Sequence, residues 1–423
     1  MKKKLLSLLL ASTMALSVCG GLAACGEKKD DGLVIKVWCP DGAITAYEQM
    51  VKDYKTAHPD ETKDWNVTFE AKGEGDAASA VRTDPATGPN IYFLASDQID
   101  KNVAQGALQA LPNNYVTEIQ ARDGAGAVDA AAIDGKYYAF PNANSNGYFL
   151  IYDTQFFTAD DVKSLDTMVT KATASGKKII FDYGNGFYNP TFFFAMGVGL
   201  GDTASNNEIT LKTDKGYEAG KTFLKYFGTG ANGAFTASTG NNSVAVGFEA
   251  GTVVAGVMGT WVNENNALYN MADSTDGWSR ERIGFTKLPK FTDTTGKEYQ
   301  MGSFMGAKYC GVNPAKSEAA VEASLALANF FNTKENQIKR YIATGDCPTN
   351  IEGAKDPRVT ADPMLAALAE QNAAGGHMQL VTPDKFWEGL ETFGNGVYNG
   401  ETTAANINAA VDALDAALRT KAE

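Results

Sequence analysis

The chain has 423 residues, of which 44% are apolar, 10% aromatic and 21% charged. A single hydrophobic core rarely serves a chain of this length, so two or three domains, or one bilobal unit with two cores, are expected. The 50 acidic residues outnumber the 37 basic ones and give a net charge of −13. Such acidity disfavours binding to nucleic acid and adsorption to an anionic membrane surface.

Residues 1–24 have the pattern of a secretory signal peptide, with a basic start at Lys2–Lys4, an apolar stretch and small residues at the end. The stretch is too short, and flanked by the wrong residues, to be a transmembrane helix. The segment "LAAC" resembles the bacterial lipobox, in which the cysteine receives a diacylglycerol anchor. Cys25 is therefore the predicted lipidation site, and residues 25–32 form a short tether. The alternative is an ordinary signal peptide with an incidental cysteine.

Three cysteines remain beyond Cys25, namely Cys39, Cys310 and Cys347. Their odd number and the lack of a CxxC pair indicate no disulfide framework and no zinc site. Cys39 and Cys310 both end strand-like runs and could meet in one sheet, but buried free thiols are the favoured interpretation.

Short apolar strands alternate with helical patterns along the rest of the chain, which predicts an α/β fold. In chain order, strands are predicted at 33–38, 66–71, 90–95, 148–152, 177–183 and 252–259, with a hairpin over 132–141. Helices are predicted from residue 44, where apolar residues recur at helical spacing, and at 98–108, 214–227, 319–331, 334–343, 383–400 and 403–421. Asp41 is placed to cap the first of these helices.

The segment "NANSNG" interrupts an apolar run that extends from Ala139 to Asp153. It brings four neutral polar side chains together, Asn142, Asn144, Ser145 and Asn146. Because a buried amide without a partner costs roughly 1–3 kcal/mol, these side chains need hydrogen-bond partners or water. They are therefore candidates for lining a polar cleft.

Signatures of catalysis are scarce. His58 and His377 lie in no metal-binding or nucleophile motif and are expected to be structural, and no GxSxG, phosphate-binding loop or dinucleotide fingerprint occurs. No catalytic residue, cofactor or metal is therefore predicted. Paired carboxylates for glycoside hydrolysis stay open as an alternative, because so many acids always offer some pair.

Three aromatic residues lie at the ends of predicted elements, beside polar neighbours: Tyr188, Trp261 and Trp387. Ligand clefts of α/β proteins form at such ends, and an aromatic face packs well on the C–H side of a sugar ring. The alternative is that each ring only anchors the packing between domains. No arginine lies near them in sequence, which disfavours a carboxylate or phosphate ligand.

Several segments, taken together in their order and spacing, resemble one protein family over residues 33–420. They are "IKVWCPDGAITAYEQMVKDYKTAHP", "DPATGPNIYFLASDQI", "GKYYAFPNANSNGYFLIYD", "VGFEAGTVVAGVMGTW", "RIGFTKLPKF" and "DKFWEGL". The family is the extracellular solute-binding proteins of carbohydrate ABC importers, the group that includes maltose-binding protein. This resemblance implies a two-lobed periplasmic-binding-protein-like fold with hinge strands crossing between the lobes. Lobe 1 would comprise 33–144 and 304–352, and lobe 2 would comprise 145–303 and 353–423.

The resemblance also implies individual ligand-binding residues. Asp41 and Asp97 match acidic positions that bind sugar hydroxyls, and Tyr188, Trp261 and Trp387 match aromatic residues that stack on glucose rings. Asn146 stands where the group has a glutamate. Other departures are Leu94 for a tryptophan, Gln98 for an arginine and Gly186 for an acid.

The sequence therefore predicts a lipid-anchored receptor at the extracellular face of the bacterial cytoplasmic membrane. It would act as a monomer, capture malto-oligosaccharides and deliver them to the transmembrane subunits of an ABC permease. Aromatic rings would supply apolar contact, while Asp41, Asp97, Asn144 and Asn146 would orient the sugar. The alternatives are the same receptor role for a different oligosaccharide or sugar, and a secreted carbohydrate-active enzyme.

Overall fold

The computed structural model describes residues 32–202, 206–228, 233–266, 268 and 280–421. The signal segment, Cys25 and all of the tether except Gly32 lie outside these residues. The strands are β1 Leu33–Cys39, β2 Trp65–Ala71, β3 Ile91–Ala95, β4 Ala132–Ile133, β5 Lys136–Tyr137, β6 Ala139–Ala143, β7 Phe149–Asp153, β8 Lys178–Ile180, β9 Phe235–Thr236, β10 Val253–Met258, β11 Ile283–Thr286, β12 Lys290–Thr292, β13 Glu298–Gln300, β14 Ser303–Met305, β15 Lys308–Val312 and β16 Gly376–Met378.

The helices follow the same chain order. They are α1 Ile44–Ala57, α2 Pro59–Thr62, α3 Glu74–Thr83, α4 Ile99–Ala104, α5 Asn113–Arg122, α6 Ala125–Asp129, α7 Leu165–Ala174, α8 Thr191–Ala195, α9 Asp214–Phe227, α10 Ser243–Glu249, α11 Glu318–Phe331, α12 Lys334–Thr344, α13 Pro357–Thr360, α14 Pro363–Gly375, α15 Phe386–Tyr398 and α16 Ile407–Arg419. None of the helices within the described ranges is both long enough and apolar enough to cross a bilayer.

The first sheet has the strand order β2-β1-β3-β15-β6, with β1 parallel to β2 and β3, and β15 antiparallel to both of its neighbours. Alternate residues of its strands point to opposite faces. Ile35 and Val37 of β1 join a core with α1 and α11, whereas Trp38 joins a second core with α3 and α4. Helices therefore cover both faces, as the α/β pattern predicts.

The second sheet has the order β11-β7-β10-β8-β9, in which β7 is antiparallel to β10 and β11. Its central strands are buried on both sides. Leu150 packs into a large aromatic core with α8, α9, α15 and α16, while Phe149 and Ile151 pack against α10 and α14. This burial explains why "FLIYD" reads as a nearly continuous apolar run.

The chain passes from the first sheet to the second at residues 144–148, between β6 and β7. The buried polar side chains here all have partners, as their composition requires. Asn142 Nδ2 donates to Asn332 Oδ1 at 2.7 Å, Ser145 Oγ to Asp346 Oδ1 at 2.9 Å, and Asn146 Nδ2 to Gln379 Oε1 at 2.8 Å. Asn144 is exposed and contributes its backbone N–H to Cys347 O.

Local turn chemistry accounts for several boundaries. The hairpin of β4 and β5 turns at Asp134 and Gly135, both with positive φ, as the Asp-Gly pair predicts. Helix α4 stops before Gly106, whose φ of +66° ends the predicted 98–108 helix early. The capping role predicted for Asp41 is wrong: Asp41 begins a 3-10 turn, and α1 starts at Ile44 without a side-chain cap.

The thiols of Cys39 and Cys310 are free and buried. Cys310 pairs with Phe93 of β3, and Cys39 follows Trp38, which pairs with Tyr92, so β3 lies between the two cysteines. Two strand spacings, roughly 9–10 Å, are too long for a disulfide. Burial raises the pKa of Cys39 to about 12, so the thiol stays protonated at neutral pH.

Candidate functional site

A cavity of about 730 Å³ lies between the two sheets. Six of the seven predicted ligand-binding residues line it, namely Asp41, Asp97, Asn146, Tyr188, Trp261 and Trp387. The seventh, Asn144, is exposed and does not contribute to the lining. Residues that are up to 346 positions apart in the sequence therefore come together because the strand order brings loop ends from both sheets to one cleft.

One wall of the cavity is aromatic. Trp261 and Trp387 are half-buried, and Phe187 lies between them, with ring centroids 5.9 Å from Trp261 and 6.4 Å from Trp387. Tyr188 is buried against Tyr148, with centroids 4.9 Å apart. Burial raises the pKa of Tyr188, and a hydrogen bond from Trp261 to its hydroxyl partly opposes that shift. The two tryptophans are thus only half-buried, whereas Tyr188 is buried and hydrogen-bonded to Trp261.

Close packing of the backbone determines where Trp261 lies. A Cβ added to Gly259 would lie 2.2 Å from the Trp261 ring and 2.5 Å from the carbonyl oxygen of Gly147. Both distances are far below van der Waals contact, so only glycine at position 259 lets the indole fold back over the strand end.

Asp97 is the centre of a hydrogen-bond network at the end of β3. Its Oδ2 accepts from Gln98 Nε2 at 2.5 Å and from Trp387 Nε1 at 3.1 Å, and its Oδ1 accepts from Gln379 Nε2 at 2.7 Å. Burial raises the pKa of Asp97, while Lys101 and these three donors act in the opposite direction. Both carboxylate oxygens are therefore already engaged by side chains from distant parts of the chain.

A second charged group lies on the floor of the cavity. Lys308 Nζ is 3.3 Å from Glu74 Oε1 and 3.2 Å from Asp346 Oδ1, and it lies 5.5 Å from the centroid of the Trp261 ring. Burial alone would lower the pKa of Lys308, but Asp346 and Glu74 outweigh burial and raise it. The lysine remains charged and links the two carboxylates to the aromatic wall.

Two arginines also line the cavity, Arg82 and Arg340, although neither lies near the aromatic residues in sequence. Arg82 Nη1 donates to Gln98 Oε1 at 3.1 Å. Arg340 is 1% exposed, and none of its three guanidinium nitrogens has a hydrogen-bond acceptor among the described residues. Burial raises the pKa of Asp346, but the positive charges of Lys308 and, to a smaller extent, Arg340 contribute to a net lowering of that pKa.

Sequence reasoning missed several lining residues, namely Glu74, Arg82, Phe187, Lys308, Arg340, Asp346 and Gln379. Phe187 could have been found from its neighbour Tyr188, since both stand in one aromatic segment. Lys308 and Asp346 pair over 38 positions, a spacing that carries no sequence signal.

The described residues contain no group of three or more His, Cys, Asp or Glu side chains that could hold a metal ion. His377 is stacked on Phe194 with centroids 4.2 Å apart, and burial lowers its pKa. It therefore packs as a neutral ring.

Comparison with known proteins decides the family. The family model of the bacterial extracellular solute-binding proteins matches residues 49–367, well over half of the chain. The chain belongs to this family. No curated protein matches this solute-binding protein significantly.

Solved structures share the fold of this solute-binding protein along nearly its whole length. One structure, solved with acarbose, is 26% identical with a TM-score of 0.78, covering 91% of this chain and 98% of that one. The maltodextrin binding protein MalE1 from L. casei BL23, solved without ligand, is 22% identical with a TM-score of 0.71, covering 92% and 99%. The maltose/maltodextrin-binding domain MalE from Bdellovibrio bacteriovorus, bound to maltotriose, is 18% identical with a TM-score of 0.72, covering 91% and 98%. These likenesses confirm the predicted two-lobed fold.

Proposed function

We propose that this solute-binding protein captures malto-oligosaccharides in the cavity between its sheets. The observation that carries the proposal is the half-buried pair Trp261 and Trp387, joined by Phe187 on one wall. An aromatic wall of this kind suits the C–H faces of successive sugar rings. Asp41 and Asn146 supply hydrogen-bonding groups on the same cavity.

The structural likenesses support this ligand class. The neighbour at 26% identity contains acarbose, and the more distant Bdellovibrio domain binds maltotriose. The wider family supports a receptor without covalent chemistry. Capture and release then depend on affinity alone.

The proposed mechanism is a shift in population between open and closed forms. A sugar binds the closed form more tightly because it then contacts both lobes. Lobe 1 comprises residues 33–144 and 304–352, and lobe 2 comprises residues 145–303 and 353–423. Closure then presents the loaded receptor, acting as a monomer, to the transmembrane subunits of an ABC permease. The lobe boundaries are part of this proposal.

A different sugar, in particular one with an acidic group, is the second candidate ligand. Arg340 favours it, because its buried guanidinium lines the cavity without a hydrogen-bonded acceptor among the described residues. Arginine binds carboxylates strongly through paired N–H donors.

A calorimetric titration of residues 26–423 tests the ligand class. The panel contains maltose, maltotriose, longer α-glucans, acarbose and an oligogalacturonate. We expect heat of binding with the α-glucans and none with the oligogalacturonate. Heat of binding with another glycan, together with none from any α-glucan, would overturn the proposal. Incubation with starch oligomers followed by chromatography tests the enzyme alternative, which new products would favour.

The lipid anchor at Cys25 is tested with the full chain expressed in a bacterium. We expect the protein in the membrane fraction, with a mass that includes a diacylglycerol, and a Cys25→Ser variant that leaves that fraction. Equal membrane association of both proteins would contradict lipidation at this cysteine, and absence of both from the membrane fraction would favour the ordinary signal peptide.

A further inference from the structure

We infer that Gln379 is a positioning residue that bridges Asp97 to Asn146 and thereby holds Asn146 with its carbonyl oxygen toward the cavity. Gln379 lies directly after β16, in a segment that the sequence did not connect with the site. Its side chain spans the space between the end of β3 and the crossing segment 144–148.

The direction of the bridge follows from the carboxylate at one end. Asp97 accepts hydrogen bonds on both oxygens, so the group of Gln379 that faces it must be the NH₂. The Oε1 of Gln379 then faces Asn146, which must turn its own NH₂ toward that oxygen at 2.8 Å. The hydrogen bonds that Asp97 accepts thus fix two amide orientations that an isolated amide would leave free.

The backbone around the bridge keeps these side chains in place. Gln379 N donates to Met305 O at 2.9 Å, and the Ser96 hydroxyl donates to the carbonyl oxygen of Gln379. Asp97, Gln379 and Asn146 are 1%, 4% and 8% exposed, so water cannot readily replace their mutual hydrogen bonds. Their mutual hydrogen bonds therefore restrict the rotation of all three side chains.

The consequence lies at the cavity. Asn146 lines it, and its Oδ1 accepts no hydrogen bond from the described residues. With its NH₂ committed to Gln379, Asn146 presents an acceptor to a ligand, as a carboxylate would, but without a charge. Such an oxygen accepts the O–H of a sugar hydroxyl, whereas the flipped amide would offer N–H donors instead. The bridge therefore determines that a ligand must offer a hydrogen-bond donor, and not an acceptor, at this position.

The orientation is tested first in the ligand-free protein. Selective nitrogen-15 labelling of asparagine reports the side-chain NH₂ signal of Asn146, assigned by its loss in Asn146→Ala. We expect Asp97→Asn and Gln379→Ala each to shift this signal. Among the described residues Asp97 is linked to Asn146 through Gln379, so the effect of Asp97→Asn must pass through the bridge. The signal of Asn408, exposed on α16, should not move. An Asn146 signal unchanged in both variants would overturn the inference.

The second test rests on the proposed function and uses maltotriose affinity. We expect Asp97→Asn and Asn146→Ala each to lower affinity about tenfold, and the double variant to lose about tenfold rather than a hundredfold, because both changes remove one bridge. In the control double variant, Asn408→Ala with Asp97→Asn, the losses in maltotriose affinity from the two single changes should add. Additive losses from Asp97 and Asn146 would refute the bridge while leaving maltotriose as the ligand. If the unmodified protein does not bind maltotriose, the proposed ligand fails, and the amide signal still decides the bridge.

Discussion

The indole Nε1 of Trp387 donates a hydrogen bond to Oδ2 of Asp97 at 3.1 Å, although the two residues are 290 positions apart in the chain. Asp97 follows a strand of the first sheet, and Trp387 lies on α15, which packs against the core of the second. This one bond connects the polar and the aromatic parts of the cavity. A change at either residue should therefore affect both the orientation of the ring and the shape of the site.

Truncating either of the two half-buried tryptophans tests the aromatic wall. Trp261→Ala and Trp387→Ala should each weaken maltotriose binding by tenfold or more, because each removes about 1.5–3 kcal/mol of apolar contact. Calorimetry measures the loss. Tyr398→Ala is the matched control, since Tyr398 is half-exposed and lies outside the cavity lining. Unchanged affinity in both tryptophan variants would remove stacking as a source of binding.

Gly259 tests whether backbone packing positions Trp261. Gly259→Ala should displace the indole, lower the affinity and destabilise the fold by about 1–3 kcal/mol, because its Cβ would overlap the ring and Gly147 O. The comparison is Gly126→Ala in α6, where no atom lies within 4 Å of the new Cβ. That variant should keep full affinity and gain a few tenths of a kcal/mol, as alanine favours helices. Equal behaviour of the two variants would argue against the packing role.

The two buried cations on the cavity floor should differ in their contribution to stability. Lys308→Met leaves Glu74 and Asp346 without their shared partner, and we expect a loss of about 3–5 kcal/mol in the free energy of unfolding. Arg340→Met removes a charge that has no hydrogen-bonded acceptor among the described residues, and the loss should stay below about 1 kcal/mol. Urea unfolding measures both values. A loss for Arg340→Met as large as that for Lys308→Met would contradict this assignment.

Asp97 should give the stability a distinctive pH dependence. Because burial raises its pKa in the folded state, the folded protein binds this proton more tightly than the unfolded chain. Its contribution to the free energy of unfolding is therefore largest below the ordinary pKa of 3.8 and decreases as the pH rises through the folded value. The free energy of unfolding of the natural protein minus that of Asp97→Asn should accordingly decrease as the pH is raised above 3.8.

Asp161 provides the control of opposite sign for this experiment. Hydrogen bonds from Lys171 and Thr158 lower the pKa of Asp161 to about 2. Its stabilisation is present above the ordinary value and is lost as the pH falls toward 2, so the difference for Asp161→Asn should fall on acidification. If the free-energy differences for Asp97→Asn and Asp161→Asn changed with pH in the same direction, Asp97 would not be the source of the predicted pH dependence.

Much of the fold could be predicted because it depends on local patterns. Helix α9 at Asp214–Phe227 and helix α16 at Ile407–Arg419 show strong helical spacing of apolar residues, and both occur close to the predicted positions. The Asp134-Gly135 turn depends only on the backbone freedom of two neighbours. Helix α1 begins at Ile44 as predicted, but Asp41 does not cap it, because residues 41–43 form a 3-10 turn that separates Asp41 from the first residue of the helix.

By itself, the sequence determined the α/β class, the alternation of elements and, through resemblance to a family, six of the residues that line the cavity. Only the tertiary structure decided which side chains meet there. Gln379, Lys308 and Asp346 acquire their roles from partners that strand order brings within hydrogen-bond distance, and no local spacing encodes such contacts. The same holds for "NANSNG": composition shows that its amides need partners, but the fold determines that Asn146 is bound by Gln379 while Asn144 is exposed and does not line the cavity.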